Sequence, residues 1–147
     1  MLSKWSVVVV VLIIAVLFGV FIYIVPKVND GGFIYLESDG GETLIIKSPK
    51  PGEEITSPLV VSGEARGSWF FEASFPLVLT NWDGLIIAQS YAEAKDDWMT
   101  TEFVPFEGVL KFEKPEYGEN GFLILQKDNP SGLPEHDDAV EIPVLFK

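Results

Sequence analysis

Residues 44–84 read LIIKSPKPGEEITSPLVVSGEARGSWFFEASFPLVLTNWDG, and this stretch decides the fold. Apolar runs of strand length, Leu44 to Lys47, Leu59 to Gly63 and Phe70 to Leu79, are separated by Ser48-Pro49-Lys50-Pro51-Gly52 and bounded by Asn81-Trp82-Asp83-Gly84. Those separators have a mechanism: Gly supplies positive φ, Pro fixes φ, and Asn and Asp side chains bond their own backbone. In the longest run Phe71, Ala73, Phe75, Leu77 and Leu79 share one parity, opposing Phe70, Glu72, Ser74, Pro76, Val78 and Thr80. That alternation predicts a long strand with one buried face and Glu72 pointing outward.

The same pattern continues toward the C-terminus in Leu85 to Tyr91, Thr101 to Phe112 with an interruption, Phe122 to Lys127 and Val140 to Phe146. Glu119-Asn120-Gly121 and Asp128-Asn129-Pro130-Ser131-Gly132 supply further turns. Val140, Ile142, Val144 and Phe146 alternate with Glu141, Pro143, Leu145 and Lys147. Pro143 lacks a ladder donor, which puts the last strand at an edge or turns the missing N–H outward. No helix-length amphipathic period occurs, and about seven short strands over residues 42–147 predict an all-β antiparallel sandwich. Trp69, Trp82, Trp98 and the phenylalanines can fill its core, with Trp82, set in a turn, the best placed of the three to be exposed.

Upstream, Lys27 to Gly41 mixes glycine pairs with acids and reads as a tether, with a short edge strand at Phe33 to Leu36 as its alternative. Before it, Trp5 to Val25 (WSVVVVVLIIAVLFGVFIYIV) carries no charge and is bounded by Lys4 and Lys27. Such a segment, as a helix rising ~1.5 Å per residue, covers roughly 30 Å of hydrocarbon. A lone strand there would leave its backbone unpaired, so helix is the state lipid permits. Trp5 and Tyr23 suit the headgroup level, and Pro26 ends the helix. The run exceeds a signal-peptide apolar core and lacks Ala-x-Ala after it, so residues 1–26 are expected to stay as a signal anchor. Lys4 and the α-amine face only Lys27, which favours a cytoplasmic N-terminus and an extracytoplasmic domain.

Composition narrows function. With 22 Asp+Glu against 10 Lys+Arg and a formal net charge of −12, the chain is a poor partner for nucleic acid, whose binding draws on clustered Lys and Arg. The absence of cysteine excludes disulfides, thiolate metal sites and a Cys nucleophile. His136 stands alone in an acidic turn and no Gly-x-Ser-x-Gly elbow exists, so no catalytic triad is legible. Glu93, Asp96 and Asp97 beside Trp98 lack the defined separation that glycoside hydrolysis requires. No catalytic residue and no cofactor is expected.

Four positions or groups remain as contact candidates. Arg66 and Glu72, flanking Gly67-Ser68, read either as a partner-contacting pair or as an internal ion pair. Trp82 is an aromatic anchor if exposed. Asp128, Asp137 and Asp138 are weak calcium candidates, against the plainer reading of a solvated loop, since the spacing does not match the EF-hand.

Several elements together resemble the immunoglobulin-like domain of bacterial spore germination proteins. They are an Ile followed by Ser48-Pro49-x-Pro51-Gly52, then Ser57-Pro58-Leu59-x-Val61-x-Gly63-x-Ala65, Phe71-Glu72-Ala73 and a later Gly84. Trp98, the Phe103 to Phe112 stretch, Gly121 before a strand and Val140-Glu141-Ile142-Pro143-Val144 continue in order, so the resemblance spans about residues 44–147. It implies a bacterial, extracytoplasmic immunoglobulin-like sandwich without enzyme activity, serving protein interaction or envelope structure. A carbohydrate- or cell-wall-binding module is the alternative, motivated by the Trp and Tyr content. The bilayer, through Trp5 to Val25, is the other expected partner.

Overall fold

The structure, a computed structural model, describes residues 32–147 and the backbone of Lys27–Val28. The expected membrane helix at 5–25 lies outside the described residues. Among those described, no helix is long and apolar enough to cross a membrane.

Among the described residues ten strands form one sheet: β1 (Lys27–Val28), β2 (Ile34–Glu37), β3 (Thr43–Ser48), β4 (Glu53–Ile55), β5 (Leu59–Arg66), β6 (Ser74–Asn81), β7 (Ile86–Ala94), β8 (Phe103–Leu110), β9 (Asn120–Gln126) and β10 (Ala139–Phe146). Their order is β1-β2-β3-β5-β8-β7-β6-β9-β10-β4, and every neighbouring pair is antiparallel except β10 with β4. The inward residues of β3, β5 and β8 share one core cluster with those of β6, β9 and β10, including Leu44, Ile46, Val61, Phe106, Leu77 and Leu125. A sheet whose distant strands bury their side chains together must curl until its two halves face each other, a sandwich-like closure. The seam is held by backbone bonds: Asp39 N–H donates to the Ala139 carbonyl (3.2 Å), and Gly52 N–H to the Pro143 carbonyl (2.7 Å).

Each of the seven sequence runs contains a strand, and the alternation of β10 is as expected, Val140, Ile142, Val144 and Phe146 being buried. Its last three residues are covered by β4. Three features differ from the sequence reading. Residues 34–37 pair with β3 rather than serving as tether, so the edge-strand alternative at Phe33 to Leu36 describes this stretch. Glu53–Ile55 forms a strand although only Ile55 is apolar, because Pro49 to Gly52 redirects the chain alongside β10. The third difference is at Glu72. Phe70 is buried while Phe71 is exposed, and the parity from 71 to 79 breaks before Phe75. Phe71 N–H donates to the Ser74 carbonyl (3.0 Å) and Ser74 N–H to the Phe71 carbonyl (3.1 Å), closing a two-residue turn with Glu72 at φ 49° and Ala73 at φ 63°.

Positive φ at both central residues defines a hairpin turn usually given to Asn-Gly. Neither residue here is Gly, so each holds the left-handed region at a cost of about 1 kcal/mol. Replacing Ala73→Gly is expected to stabilise the domain by about 0.5–1 kcal/mol after the larger unfolded-state entropy of Gly is subtracted. A thermal melt reads this as a rise of a few degrees; an unchanged or lower midpoint would show the turn to be relaxed.

Candidate interaction surface

One end of the curled sheet gathers the β2–β3 turn, the Gly67–Trp69 turn after β5, the β7–β8 loop and the β9–β10 loop. Arg66, the last residue of β5, stands opposite Phe103 of β8. Its Nη1 donates to the Thr101 carbonyl (3.0 Å), and its guanidinium sits 4.0 Å from the Phe103 ring centroid. A cation over an aromatic face at an exposed site is worth about 0.5–1 kcal/mol. The guanidinium is thus engaged within its own end of the domain. Ion pairs among the described residues join Lys95 to Glu107, Lys127 to Glu42 and Lys147 to Glu54. Arg66 and Glu72 are not brought together as an ion pair.

The aspartates of the β9–β10 loop are absorbed into the closure. Asp138 Oδ2 accepts from Ser38 Oγ (2.7 Å), and its Oδ1 accepts from Gly40 N–H (2.8 Å) and Ala139 N–H (2.9 Å). Gly40 has no side chain because a Cβ there would lie 2.6 Å from Asp138 Oδ2. Asp137 Oδ1 accepts from Asn129 Nδ2 (2.8 Å), and Asp128 gives its backbone N–H to the Trp69 carbonyl (3.1 Å). Glu42 adds a second clasp, taking Lys127 Nζ on one carboxylate oxygen and Ser68 Oγ (2.9 Å) on the other. Among the described residues no group of three or more His, Cys, Asp or Glu is placed to hold a metal ion. Of the three aspartates, Asp137 and Asp138 give carboxylate oxygens to internal donors, whereas Asp128 is tied in through its backbone N–H.

Asp138→Ala would leave Ser38 Oγ and Gly40 N–H without their acceptor. The expected cost is about 1–3 kcal/mol, as for a polar pair broken on one side. Asp138→Asn keeps one acceptor oxygen and should lose less. Urea unfolding of both variants checks the order; equal loss would show that the carboxylate geometry is immaterial.

At the opposite end, Asn81 shapes the β6–β7 turn: its Oδ1 accepts from Asp83 N–H (3.0 Å) and Leu85 N–H (2.8 Å), and Gly84 takes φ 78°. Trp82 at the turn tip is 60% exposed, whereas Trp69 is wholly buried. One edge of the Trp82 indole is backed by Gly118 of the β8–β9 loop, where a Cβ would lie 2.5 Å from Trp82 Cδ1. Tyr117 beside it is 80% exposed, and Leu85 and Ile86 also reach solvent. Sequence reasoning singled out Trp82 but missed Tyr117 and its neighbours. The signal was there in Pro115-Glu116-Tyr117-Gly118, an aromatic residue set among turn formers.

Strand order, a shared inner core and loop ends carrying exposed aromatics define an all-β domain built from one curled sheet. Residues 44–132 match the family described as the immunoglobulin-like domain of bacterial spore germination, and the chain belongs to that family. The match ends in the β9–β10 loop, while β10 completes the sheet on β9. No curated protein and no solved structure matches the chain.

Proposed function

We propose that this chain is a non-catalytic binding module of the bacterial envelope, held in the cytoplasmic membrane by Trp5 to Val25 with its N-terminus in the cytoplasm and its immunoglobulin-like domain outside. The family match over residues 44–132 is the observation that carries this reading. The uncharged run at 5–25 supports the anchor, and the acidic composition turns the domain away from nucleic acid. Recognition of another protein, or support of envelope structure, is the primary role. Protease added to cells or spheroplasts with an intact cytoplasmic membrane should remove a C-terminal tag; a protected tag overturns the topology.

Carbohydrate binding is the second reading, favoured by the Trp82 ring standing open to solvent over Gly118. Aromatic faces of this kind stack on apolar sugar faces or anchor protein partners. Sedimentation of the purified full chain with peptidoglycan separates the two. Under the sugar reading the wild type pellets and Trp82→Ala does not, while equal behaviour of both removes stacking as the mode of binding.

A further inference from the structure

The two halves of the curled sheet present different outer faces. On β2, β3, β5 and β8 the outward positions include Glu37, Lys47, Glu64, Arg66 and Glu107. On β7, β6, β9 and β10 the outward charges are Glu93 on β7 and Glu141 on β10, with Glu54 of β4 beyond β10 beside Leu145, so the acids lie on the outer strands of this half. Between them the register sets Tyr91 beside Pro76, Val78 between Gln89 and Ile124, and Thr80 between Ile86 and Phe122. Val78 and Thr80 are 5% and 6% exposed although they lie on the outer side, so water is already excluded from the middle of this face. Tyr91, Ile86 and Phe122 around them remain exposed.

In a chain of net charge −12, a sheet face with so little charge needs a reason. Interface centres are depleted of charge and enriched in aromatic side chains, while bulk surface is not. A basic partner or an anionic headgroup layer would be met by complementary charge, which this face lacks. An apolar face complements itself, and two acidic domains can approach with least repulsion where acids are fewest and lie at the rim. A two-fold contact uses the same patch on both copies.

We propose that this face of β7, β6, β9 and β10 is the contact between two copies of the chain. The proposal rests on the binding-module reading above and names its partner. Its test uses the full chain in detergent micelles, with mass measured by sedimentation equilibrium. The wild type should be dimeric, and the double variant Tyr91→Glu with Phe122→Glu monomeric, its dimer dissociation constant raised at least tenfold with an unchanged far-UV spectrum. Tyr91 is 60% and Phe122 37% exposed in the single copy, so Tyr91→Glu alone, at the more open position, is run beside the double variant to separate loss of the contact from loss of the fold.

Because the chain has no cysteine, Gln89→Cys gives one thiol on this face and Glu64→Cys one on the other half as a control. A short bismaleimide added to native membranes should join copies of the first and not the second. A monomeric wild type overturns the proposal. So does a dimer that survives the double glutamate variant, since it would be held by the apolar N-terminal segment. Cross-linking of Gln89→Cys to a different protein overturns self-association while leaving the binding-module reading intact.

Discussion

Phe106→Ala is expected to destabilise the domain by about 3–5 kcal/mol, the range for removing a buried aromatic ring from a core. Phe106 lies on β8, facing inward and 2% exposed. Its ring meets Phe75 edge-on, with centroids 4.9 Å apart at 77°, and Phe75 in turn touches Phe70 and Trp69. The ring also occupies the space above Gly63 of β5: a Cβ at 63 would come within 2.9 Å of Phe106 Cζ and 2.2 Å of the Ile45 carbonyl oxygen. Phe106 therefore spans the two halves of the curled sheet, from β8 to β6, through a gap that glycine leaves open. Its removal opens a cavity that strands tied on both sides cannot collapse to fill. Against a typical total of roughly 5–15 kcal/mol, such a loss leaves little net stability. Urea unfolding should show the midpoint fall steeply with little change in slope. A loss under about 1 kcal/mol would mean that the halves close without this contact.

How much of this was legible depends on which force shapes each segment. Where one face of a strand is buried and the other wet, alternation speaks directly, and β10 with Val140, Ile142, Val144 and Phe146 inward follows its sequence. Where the outer side is also apolar, as in Phe122-Leu123-Ile124-Leu125, alternation is silent about the surface, and the sparsely charged outer face emerges only from register. β4 escaped because Glu53 and Glu54 are not strand formers; long-range pairing with β10 overrides their preference. The turn at Glu72 and Ala73 escaped because its residues carry none of the usual turn chemistry, so the apolar run seemed continuous through it. The contact candidates divide in the same way. Trp82 was readable from its place between Asn81 and Asp83-Gly84, a turn with local cause. The fates of Arg66 and Asp138 were not, since Phe103 and Thr101 or Ser38 and Gly40 come from distant parts of the chain.

Gly67→Ala is the second large effect, and it tests the end of the domain where those distant segments meet. Gly67 opens the short turn after β5 and is buried. Its N–H donates to the Glu102 carbonyl (3.3 Å), and a Cβ on it would lie 1.9 Å from the Thr100 carbonyl oxygen and 2.4 Å from that of Trp98. Both obstacles are backbone, so no side-chain rotation relieves them and the β7–β8 loop must move as a unit. That loop also supplies Thr101, whose carbonyl holds Arg66. Overpacking of this kind costs about 1–3 kcal/mol and more where the neighbours are rigid, so a loss of about 3 kcal/mol is expected. Gly84→Ala is the control, since a Cβ there meets nothing within 4 Å while φ is 78°; it carries backbone strain without collision. Denaturation should rank Gly67→Ala well below Gly84→Ala in stability. Amide exchange should show the Gly67 variant losing protection through the β7–β8 loop first, because that is where the added methyl must make room. If the two alanine variants prove equally stable, the tight seat of this loop on Gly67 is not what holds that end of the domain together.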